Sequence, residues 1–206
     1  MKALTRRKVF MVGNTVVDAV YQNLEIAKSK SIASKILGLK AGKFILATAH
    51  RAENVDDKER FTGLINGLQK VQAEFGMPLI YPIHPRAKKQ LQFFGLDTRG
   101  ISLIEPLDYL SFLKLESMAR LVLSDSGGVQ EETCILGVPC VTLRDNTERP
   151  ETLDVGSNIL AGTDPERILE AAKASMSKKK GWVNPFGDGK TAQKIIKMLE
   201  SELSKH

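Results

Sequence analysis

The residue types best suited to binding an anion lie in residues 124–132, which read Ser-Asp-Ser-Gly-Gly-Val-Gln-Glu-Glu. The apolar run 121–123 precedes them, so we predict that a strand ends here and that a helix follows over residues 129–136. Backbone N–H groups at a helix start lack intrahelical partners and lie at the positive end of the helix dipole, which favours a phosphate. Glycine lets such a ligand approach the backbone closely. The candidate phosphate-binding residues are Ser126, Gly127 and Gly128.

Two carboxylates follow these glycines. Glu131 and Glu132 lie three and four residues after Gly128, about one helical turn further along. A carboxylate one turn behind a phosphate can accept hydrogen bonds from the hydroxyl groups of a sugar. The alternative is that both acids bind no ligand and only interact favourably with the positive end of the helix dipole. A capping box does not explain them, because with Ser126 as N-cap the third helical residue is Val129.

Two histidines also follow apolar runs. His50 lies after residues 44–48, and His84 lies after residues 79–83. A histidine can donate a hydrogen bond to a phosphate or exchange a proton near neutral pH. Each histidine could instead be structural, and Pro85 holds the chain at His84 in an extended conformation.

An aromatic residue and a charged segment complete the set of candidates. Phe112 lies in a predicted helix over residues 108–118, where its ring could stack on a nucleobase or pack in the core. Arg149 lies in residues 144–151, which are dense in charge and follow the apolar run 140–143. This segment could bind a ligand at the end of a strand, or it could be a solvated loop.

Composition indicates a globular protein without a membrane partner. Of the 206 residues, 42% are hydrophobic and 26% are charged, and no apolar run approaches the ~20 residues that cross a bilayer. The basic N-terminus is followed by an apolar run too short for a signal peptide, so we expect a cytoplasmic location. Cys134 and Cys140 match no zinc-binding spacing, and we expect reduced thiols.

The net charge is positive, at +6 with an isoelectric point of about 9.3. A basic excess suits a protein that binds anionic diphosphates as well as one that binds nucleic acid. The sequence has no nucleic-acid-binding motif and no basic stripe interleaved with aromatic residues. We therefore expect no nucleic-acid partner.

Short apolar runs alternate with helical patterns along the chain. The predicted strands cover residues 9–12, 44–48, 79–83, 101–104, 121–123, 140–143 and 158–160. The predicted helices cover residues 15–30, 58–75, 86–94, 108–118, 129–136, 165–177 and 191–203. This alternation predicts an α/β fold with a Rossmann-like, doubly wound parallel sheet. Ligands bind such sheets at the carboxyl ends of the strands, where the candidate residues above are expected.

Taken together, these stretches resemble the non-hydrolysing UDP-N-acetylglucosamine (UDP-GlcNAc) 2-epimerases. The segments that carry the resemblance are Gly-Asn-Thr-Val-Val-Asp-Ala at 13–19, His-Arg-Ala-Glu-Asn at 50–54, Ile-His-Pro at 83–85, Asp-Ser-Gly-Gly-Val-Gln-Glu-Glu at 125–132, Arg-Asp-Asn-Thr-Glu-Arg-Pro-Glu at 144–151 and Asn-Pro-Phe-Gly-Asp-Gly at 184–189. Their order across nearly the whole chain makes the match specific. One departure is Ala52, where many members have a second arginine.

The resemblance implies the C-terminal half of a two-domain, glycosyltransferase-B type fold. Residues 13–206 would form the UDP-binding Rossmann-like domain, and residues 1–12 would be a linker or a remnant of the N-terminal half. The family interconverts UDP-GlcNAc and UDP-ManNAc by eliminating UDP and adding it back, without a metal or redox cofactor. Its main catalytic acids lie in the other half, so we expect this chain alone to be inactive. Expected partners are UDP, the two UDP-sugars, a separate N-terminal half and further copies in a homo-oligomer.

The resemblance also implies roles for individual residues. Ser126, Gly127 and Gly128 match the diphosphate-binding positions, and Glu132 matches the carboxylate that binds the ribose. Phe112 matches a position that contacts uracil, and Arg149 and His50 match positions that face the phosphates and the reacting sugar. His84 matches a position in a regulatory UDP-GlcNAc site. His50 is the only catalytic candidate in this set.

Two other functions fit the same half-fold. One is the UDP-sugar-binding subunit of a two-chain glycosyltransferase, which would transfer a sugar to an acceptor held by a partner chain. The other is a non-catalytic UDP-sugar sensor that has the nucleotide site without the catalytic acids.

Overall fold

The computed structural model describes residues 9–30, 38–178 and 181–204. The strands are β1 (Ile45–Thr48), β2 (Leu79–Pro82), β3 (Ile101–Ile104), β4 (Leu121–Ser124), β5 (Cys140–Thr142) and β6 (Asn158–Leu160). The helices are α1 (Thr15–Lys30), α2 (Ala52–Val55), α3 (Lys58–Phe75), α4 (Pro85–Phe94), α5 (Tyr109–Met118), α6 (Gly127–Leu136), α7 (Pro150–Asp154), α8 (Pro165–Ser177) and α9 (Thr191–Leu203).

The six strands form one parallel sheet in the order β3-β2-β1-β4-β5-β6. This confirms the doubly wound, Rossmann-like α/β fold that the alternation of strands and helices predicts. The strand order reverses between β1 and β4, where Thr48 is the register partner of Ser124. Chains leaving two neighbouring strands at such a point diverge to opposite faces of the sheet and open a crevice for a ligand.

The central strands are apolar on both faces because helices cover both faces. Ile45 and Ala47 of β1 belong to the core cluster that α3 and α8 complete, whereas Leu46 belongs to the cluster that contains Leu115 of α5. Successive strand residues point to opposite faces of the sheet. A continuous apolar run without alternation is therefore what a buried parallel strand requires.

Helix α3 packs closely on α8 at Gly67. A Cβ atom at this position would lie 2.6 Å from Cδ1 of Ile168, so a larger residue would force the helices apart. The side chain of Asp57 caps the start of α3 by accepting a hydrogen bond from the N–H of Arg60 at 2.8 Å. Because α3 follows the loop after β1, this packing helps to position that loop.

Helix α1 is joined to the start of α9 through Asp18. Its carboxylate accepts hydrogen bonds from the N–H groups of Thr191 and Ala192, each at 3.1 Å. Burial of Asp18 opposes ionisation, but these hydrogen bonds outweigh it and lower the pKa of the carboxyl. The N–H of Asn14 also donates to the carbonyl of Phe186 at 2.9 Å. The segment before α1 is therefore fixed to the segment before α9.

The structure differs from the predicted elements in three places. Residues 9–12 contain no strand; Met11 is fully exposed, and no neighbouring strand pairs with this run within the described ranges. Residues 1–8 of the proposed linker lie outside the described residues. Helix α6 begins at Gly127, two residues before the predicted start at Val129. The short helices α2 and α7 were not predicted, because about one turn is too short to show a hydrophobic period.

Both cysteines are buried and free, as predicted. Burial raises the pKa of the Cys140 thiol to about 12. Among the described helices, none combines the length and the hydropathy needed to cross a membrane.

Candidate nucleotide-binding site

A buried carboxylate organises the sheet edge between β1 and β4. Asp125 follows β4 and is fully buried. It accepts hydrogen bonds from the N–H of His50 at 3.1 Å, the N–H of Arg51 at 2.9 Å and the side-chain amide of Asn54 at 3.1 Å. Nδ1 of His50 also lies 3.5 Å from Asp125 Oδ1. Asp125 thus fixes the loop after β1 to the end of β4, a role that its place in the sequence motif did not reveal.

A cavity of about 340 Å³ opens at this edge. Its lining residues are Thr48, His50, Pro82, His84, Pro106, Leu107, Phe112, Ser126 and Val129. The rings of His50 and His84 lie with their centroids 5.7 Å apart. The structure therefore brings together four of the predicted site residues, namely His50, His84, Phe112 and Ser126.

Ser126 occupies the N-cap position of α6. Its φ of −90° and ψ of 130° are those of an N-cap residue, but its side chain makes no capping hydrogen bond. Its own N–H donates to Oγ of Ser124 at 3.0 Å. The Ser126 hydroxyl and the first N–H groups of α6 are therefore suited to bind an anion at the cavity wall.

The two glycines at the start of α6 are not explained by the packing of the described chain. A Cβ at Gly127 would lie 3.7 Å from a Glu148 oxygen, and one at Gly128 would lie 3.9 Å from Oγ of Ser126. Both are ordinary contact distances, and neither glycine has a positive φ. Glycine at both positions leaves the backbone open to the close approach of a ligand.

Arg149 lies in a second, larger cavity rather than beside His50. This cavity has a volume of about 760 Å³ and is lined by Phe10, Met11, Val12, Gly13, Asn14, Glu131, Glu148, Arg149, Glu151, Pro185, Phe186 and Lys194. Nε of Arg149 lies 2.8 Å from Oε1 of Glu131, as an ion pair without the alignment of a hydrogen bond. The Asn14 amide donates to the same Glu131 oxygen at 2.9 Å. Glu131 is thus engaged by Arg149 and Asn14.

Glu132 is directed toward α5. Burial raises the pKa of its carboxyl, although hydrogen bonds with Tyr109 and Glu116 act in the opposite direction. Glu116 is fully buried, and burial together with the nearby Glu132 raises its pKa well above the ordinary value. Glu116 was not a site candidate from sequence, because an acidic residue within a helix usually lies on the exposed face.

A second network holds the charged loop after β5. The buried Arg144 donates to Glu53 at 2.9 Å, to Glu148 at 2.7 and 3.0 Å and to Asn146 at 3.0 Å. The hydrogen bonds from Arg144 lower the pKa of Glu148 to about 2. The segment of residues 144–151 is therefore a structured loop joined to α2, not a freely solvated one. Within the described ranges, no group of three or more His, Cys, Asp or Glu side chains could hold a metal ion.

The fold and the site define a class of protein. A parallel sheet with the order 3-2-1-4-5-6 and a strand–Ser-Gly-Gly–helix junction at its switch point is a Rossmann-like domain built to bind a phosphorylated ligand. The family model described as UDP-N-acetylglucosamine 2-epimerase matches residues 2–200. The chain therefore belongs to the UDP-N-acetylglucosamine 2-epimerase family, as its motifs predicted.

Curated relatives and solved structures agree with this assignment. The chain is 46% identical over 205 residues to UDP-N-acetylglucosamine 2-epimerase of Methanocaldococcus jannaschii, which covers 96% of this chain and 56% of the relative. The crystal structure of the M. jannaschii UDP-GlcNAc 2-epimerase in complex with UDP-GlcNAc and UDP superposes with a TM-score of 0.87 at 46% identity, covering 97% of this chain and 57% of that chain. The Neisseria meningitidis enzyme bound to UDP-GlcNAc gives a TM-score of 0.83 at 32% identity, covering 97% and 57%.

The chain spans about half the length of the curated relatives it matches. The matched part is their C-terminal half. The structural neighbours are UDP-GlcNAc 2-epimerases of the glycosyltransferase-B type.

Proposed function

We propose that this chain provides the UDP-binding half of a UDP-GlcNAc 2-epimerase, with residues 13–206 as the nucleotide-binding domain. The observation that carries the proposal is the junction between β4 and α6, where Ser126 lines one cavity with His50 and Phe112 and is followed by Gly127 and Gly128 at the start of the helix. The relatives crystallised with UDP-GlcNAc and UDP support the choice of ligand.

The nucleotide would bind with its diphosphate over Ser126, Gly127 and Gly128, because the first N–H groups of α6 point toward that position. Phe112 lines the cavity beside them and would contact the uracil. Glu132 would accept hydrogen bonds from the ribose hydroxyls.

Three further residues would contact other parts of the ligands. His50 lies at the carboxyl end of β1, where it would face the phosphates and the reacting sugar. Arg149 would contribute a positive charge from the adjoining larger cavity. His84 would belong to a regulatory UDP-GlcNAc site next to the first, a placement that the 5.7 Å separation of its ring from His50 supports.

The reaction requires groups on both faces of the sugar. The proton at C2 is removed as the bond from C1 to UDP breaks, which gives 2-acetamidoglucal, and UDP then adds back with protonation of the opposite face. One Rossmann-like half supplies one wall, and a sugar bound to it would remain in water, where electrostatic stabilisation is weak. We therefore propose that the chain alone is inactive and that an N-terminal half completes the site. This chemistry uses no redox cofactor.

The surface beside the larger cavity is consistent with a partner half. Phe10 and Met11 both line this cavity, and they are 43% and 100% exposed. Exposed apolar side chains at a site are favourable positions for a second domain to cover. We also expect a homo-oligomer and a cytoplasmic location, where the free thiols would remain reduced.

Calorimetry with UDP tests the binding site. The chain should bind UDP, and Gly128→Val should abolish binding with an unchanged circular dichroism spectrum, because the new side chain fills the ligand's approach without meeting protein atoms. Ala73→Val is the control, because it places the same side chain at an exposed position of α3 away from this edge. Binding that survives Gly128→Val would place the UDP site elsewhere.

Nuclear magnetic resonance tests the activity. We expect no UDP-ManNAc from UDP-GlcNAc with this chain alone and turnover when the N-terminal half of a relative is added. Robust epimerisation by the chain alone would refute the proposal that an N-terminal half must supply groups on the other face of the sugar. UDP binding without epimerisation in the reconstituted pair would favour a sensor or a glycosyltransferase subunit.

A further inference from the structure

Glu116 is a buried acid that the proposed reaction does not use. It lies in the last turns of α5, and its side chain is inaccessible to solvent. Among the described residues, neither of its carboxyl oxygens has a partner in good hydrogen-bond geometry. An uncompensated carboxylate in such a position would be strongly destabilising. The group that faces Glu116 is the carboxyl of Glu132, which comes from the neighbouring helix α6.

The other groups around this pair do not neutralise it. The hydroxyl of Tyr109 lies near Glu132 at the start of α5, and Cys140 of β5 lies near Glu116. Glu131, next in the chain, pairs with Arg149 rather than with either member of the pair. Cys134 lies near Cys140, and a thiol cannot supply a positive charge.

Helix α1 also packs against α5, and both of its acids have other partners, with Glu25 paired to Lys28. Asp18 accepts hydrogen bonds from the N–H groups of Thr191 and Ala192. Within residues 9–30, 38–178 and 181–204, no ion pair joins a lysine, arginine or histidine to Glu116 or Glu132. The pair therefore has no cation to balance two negative charges.

Two carboxyls in this arrangement cannot both be ionised near neutral pH. Burial and then the charge of Glu132 raise the pKa of Glu116 well above its ordinary value. The interaction between the two side chains raises the pKa of Glu116 and lowers that of Glu132. A proton on the buried Glu116 would give its carboxyl the hydrogen bond that it otherwise lacks, with Glu132 as the acceptor.

We propose that Glu116 is a positioning residue that donates a shared proton to Glu132 and so holds the Glu132 carboxylate, together with the Tyr109 hydroxyl, in the orientation that receives the ribose. This inference rests on the proposed function, in which Glu132 binds the ribose hydroxyls. A carboxylate that already accepts two hydrogen bonds from the protein is fixed before the ligand arrives, so less conformational freedom is lost on binding.

Calorimetric titration with UDP between about pH 6 and about pH 9 tests the proposal. For the unmodified chain we expect affinity to fall as pH rises and the shared proton is lost, because the two charges then repel. E116Q keeps a neutral donor of the same shape, so its affinity should stay within roughly threefold and lose this pH dependence. E116L fits the buried space but cannot donate, and its affinity should fall roughly tenfold.

A purely structural role for Glu116 predicts a different result. Leucine would then be tolerated or stabilising, and UDP affinity and its pH profile would be unchanged in E116L. That outcome, with the unmodified chain binding UDP normally, would overturn the positioning role and leave the proposed function intact. If E116L does not fold, loss of the pH dependence in E116Q still supports the proposal, and its persistence overturns it.

A measurement on the ligand-free chain separates the two proposals. With ¹³C-labelled glutamate carboxyls, one resonance should titrate far above the ordinary glutamate range and should be absent in E116Q. Ordinary titration of every glutamate would overturn the shared proton whatever UDP does. Absence of UDP binding by the unmodified chain, with the high titration present, would instead refute the proposed function and with it the ribose role.

Discussion

Asp125 should be the most costly polar residue to remove at the sheet edge. In Asp125→Ala, three donors lose their acceptor, namely the N–H groups of His50 and Arg51 and the amide of Asn54. The Asn54 amide keeps a second acceptor, the carbonyl of Leu143 at 2.9 Å. The two backbone donors do not, so about two unsatisfied groups at roughly 1–3 kcal/mol each predict a loss of roughly 3 kcal/mol in the free energy of unfolding.

Asp125→Asn should cost much less, because the oxygen that it retains can accept from the same three donors. We expect a loss of roughly 1 kcal/mol, with the new amide facing Nδ1 of His50. Urea unfolding followed by circular dichroism measures both variants. The control is Asp97→Ala, whose exposed partner Arg99 can be solvated, and the expected change is below about 0.5 kcal/mol.

The comparison of Asp125→Ala with Asp125→Asn separates the effect of the carboxylate's charge from the effect of its hydrogen bonds. Equal losses for the two variants would show that the carboxylate's charge, not its acceptor geometry, holds the loop. A loss in Asp125→Ala no larger than that of the Asp97 control would show that the hydrogen bonds contribute nothing to stability. Either result would contradict the conclusion that hydrogen bonds to Asp125 fix the loop after β1 to the end of β4.

Three further predictions concern the charged groups. Glu132→Gln should weaken UDP binding by roughly 1–3 kcal/mol in calorimetry, the scale of a lost charge-assisted hydrogen bond; an unchanged affinity together with a harmful Glu131→Gln would identify the other carboxylate as the ribose ligand. The low pKa of Glu148 means that its interaction with Arg144 stabilises the fold above the ordinary glutamate pKa and is lost as pH falls toward about 2. Between about pH 6 and about pH 3, the melting temperature of Glu148→Gln should therefore fall less than that of the unmodified chain, with Glu151→Gln as the matched control; equal slopes would contradict this. Binding to a random DNA duplex should be weak and steeply lost with salt, despite the net charge of +6, and salt-resistant, sequence-specific binding would refute it.

The strands and long helices could be predicted because their buried faces require apolar residues at a regular spacing along the sequence. β3, β6, α1, α3, α8 and α9 lie where the patterns place them, and the other predicted elements that form differ by one or two residues at an end. The prediction of a strand at residues 9–12 was wrong. The apolar side chains of this run predict a strand only where a neighbouring strand pairs with it, and within the described ranges none does.

The hydrogen-bond networks of the site could not be predicted from sequence. Asp125 binds donors 71 to 75 residues earlier in the chain, and Arg144 binds Glu53 across 91 residues. No local pattern encodes such a pairing, because it depends on which strands become neighbours. The resemblance placed Arg149 beside the phosphates, whereas its side chain lies in the larger cavity with Glu131. Its predicted role is untested.

The starts of the helices indicate where the fold leaves backbone groups for a ligand. Helices α3, α5 and α8 begin with Asp57, Asp108 and Asp164, and each of these side chains accepts a hydrogen bond from an N–H in the first turn. Helix α6 begins at the switch point of the sheet, and the side chain of Ser126 makes no such bond. An acidic cap there would repel a diphosphate, whereas a serine adds a donor and Gly127 leaves the approach open. An aspartate cap stabilises the other three helices, and we expect phosphate binding to favour serine at this one, because serine is a comparable N-cap without the negative charge.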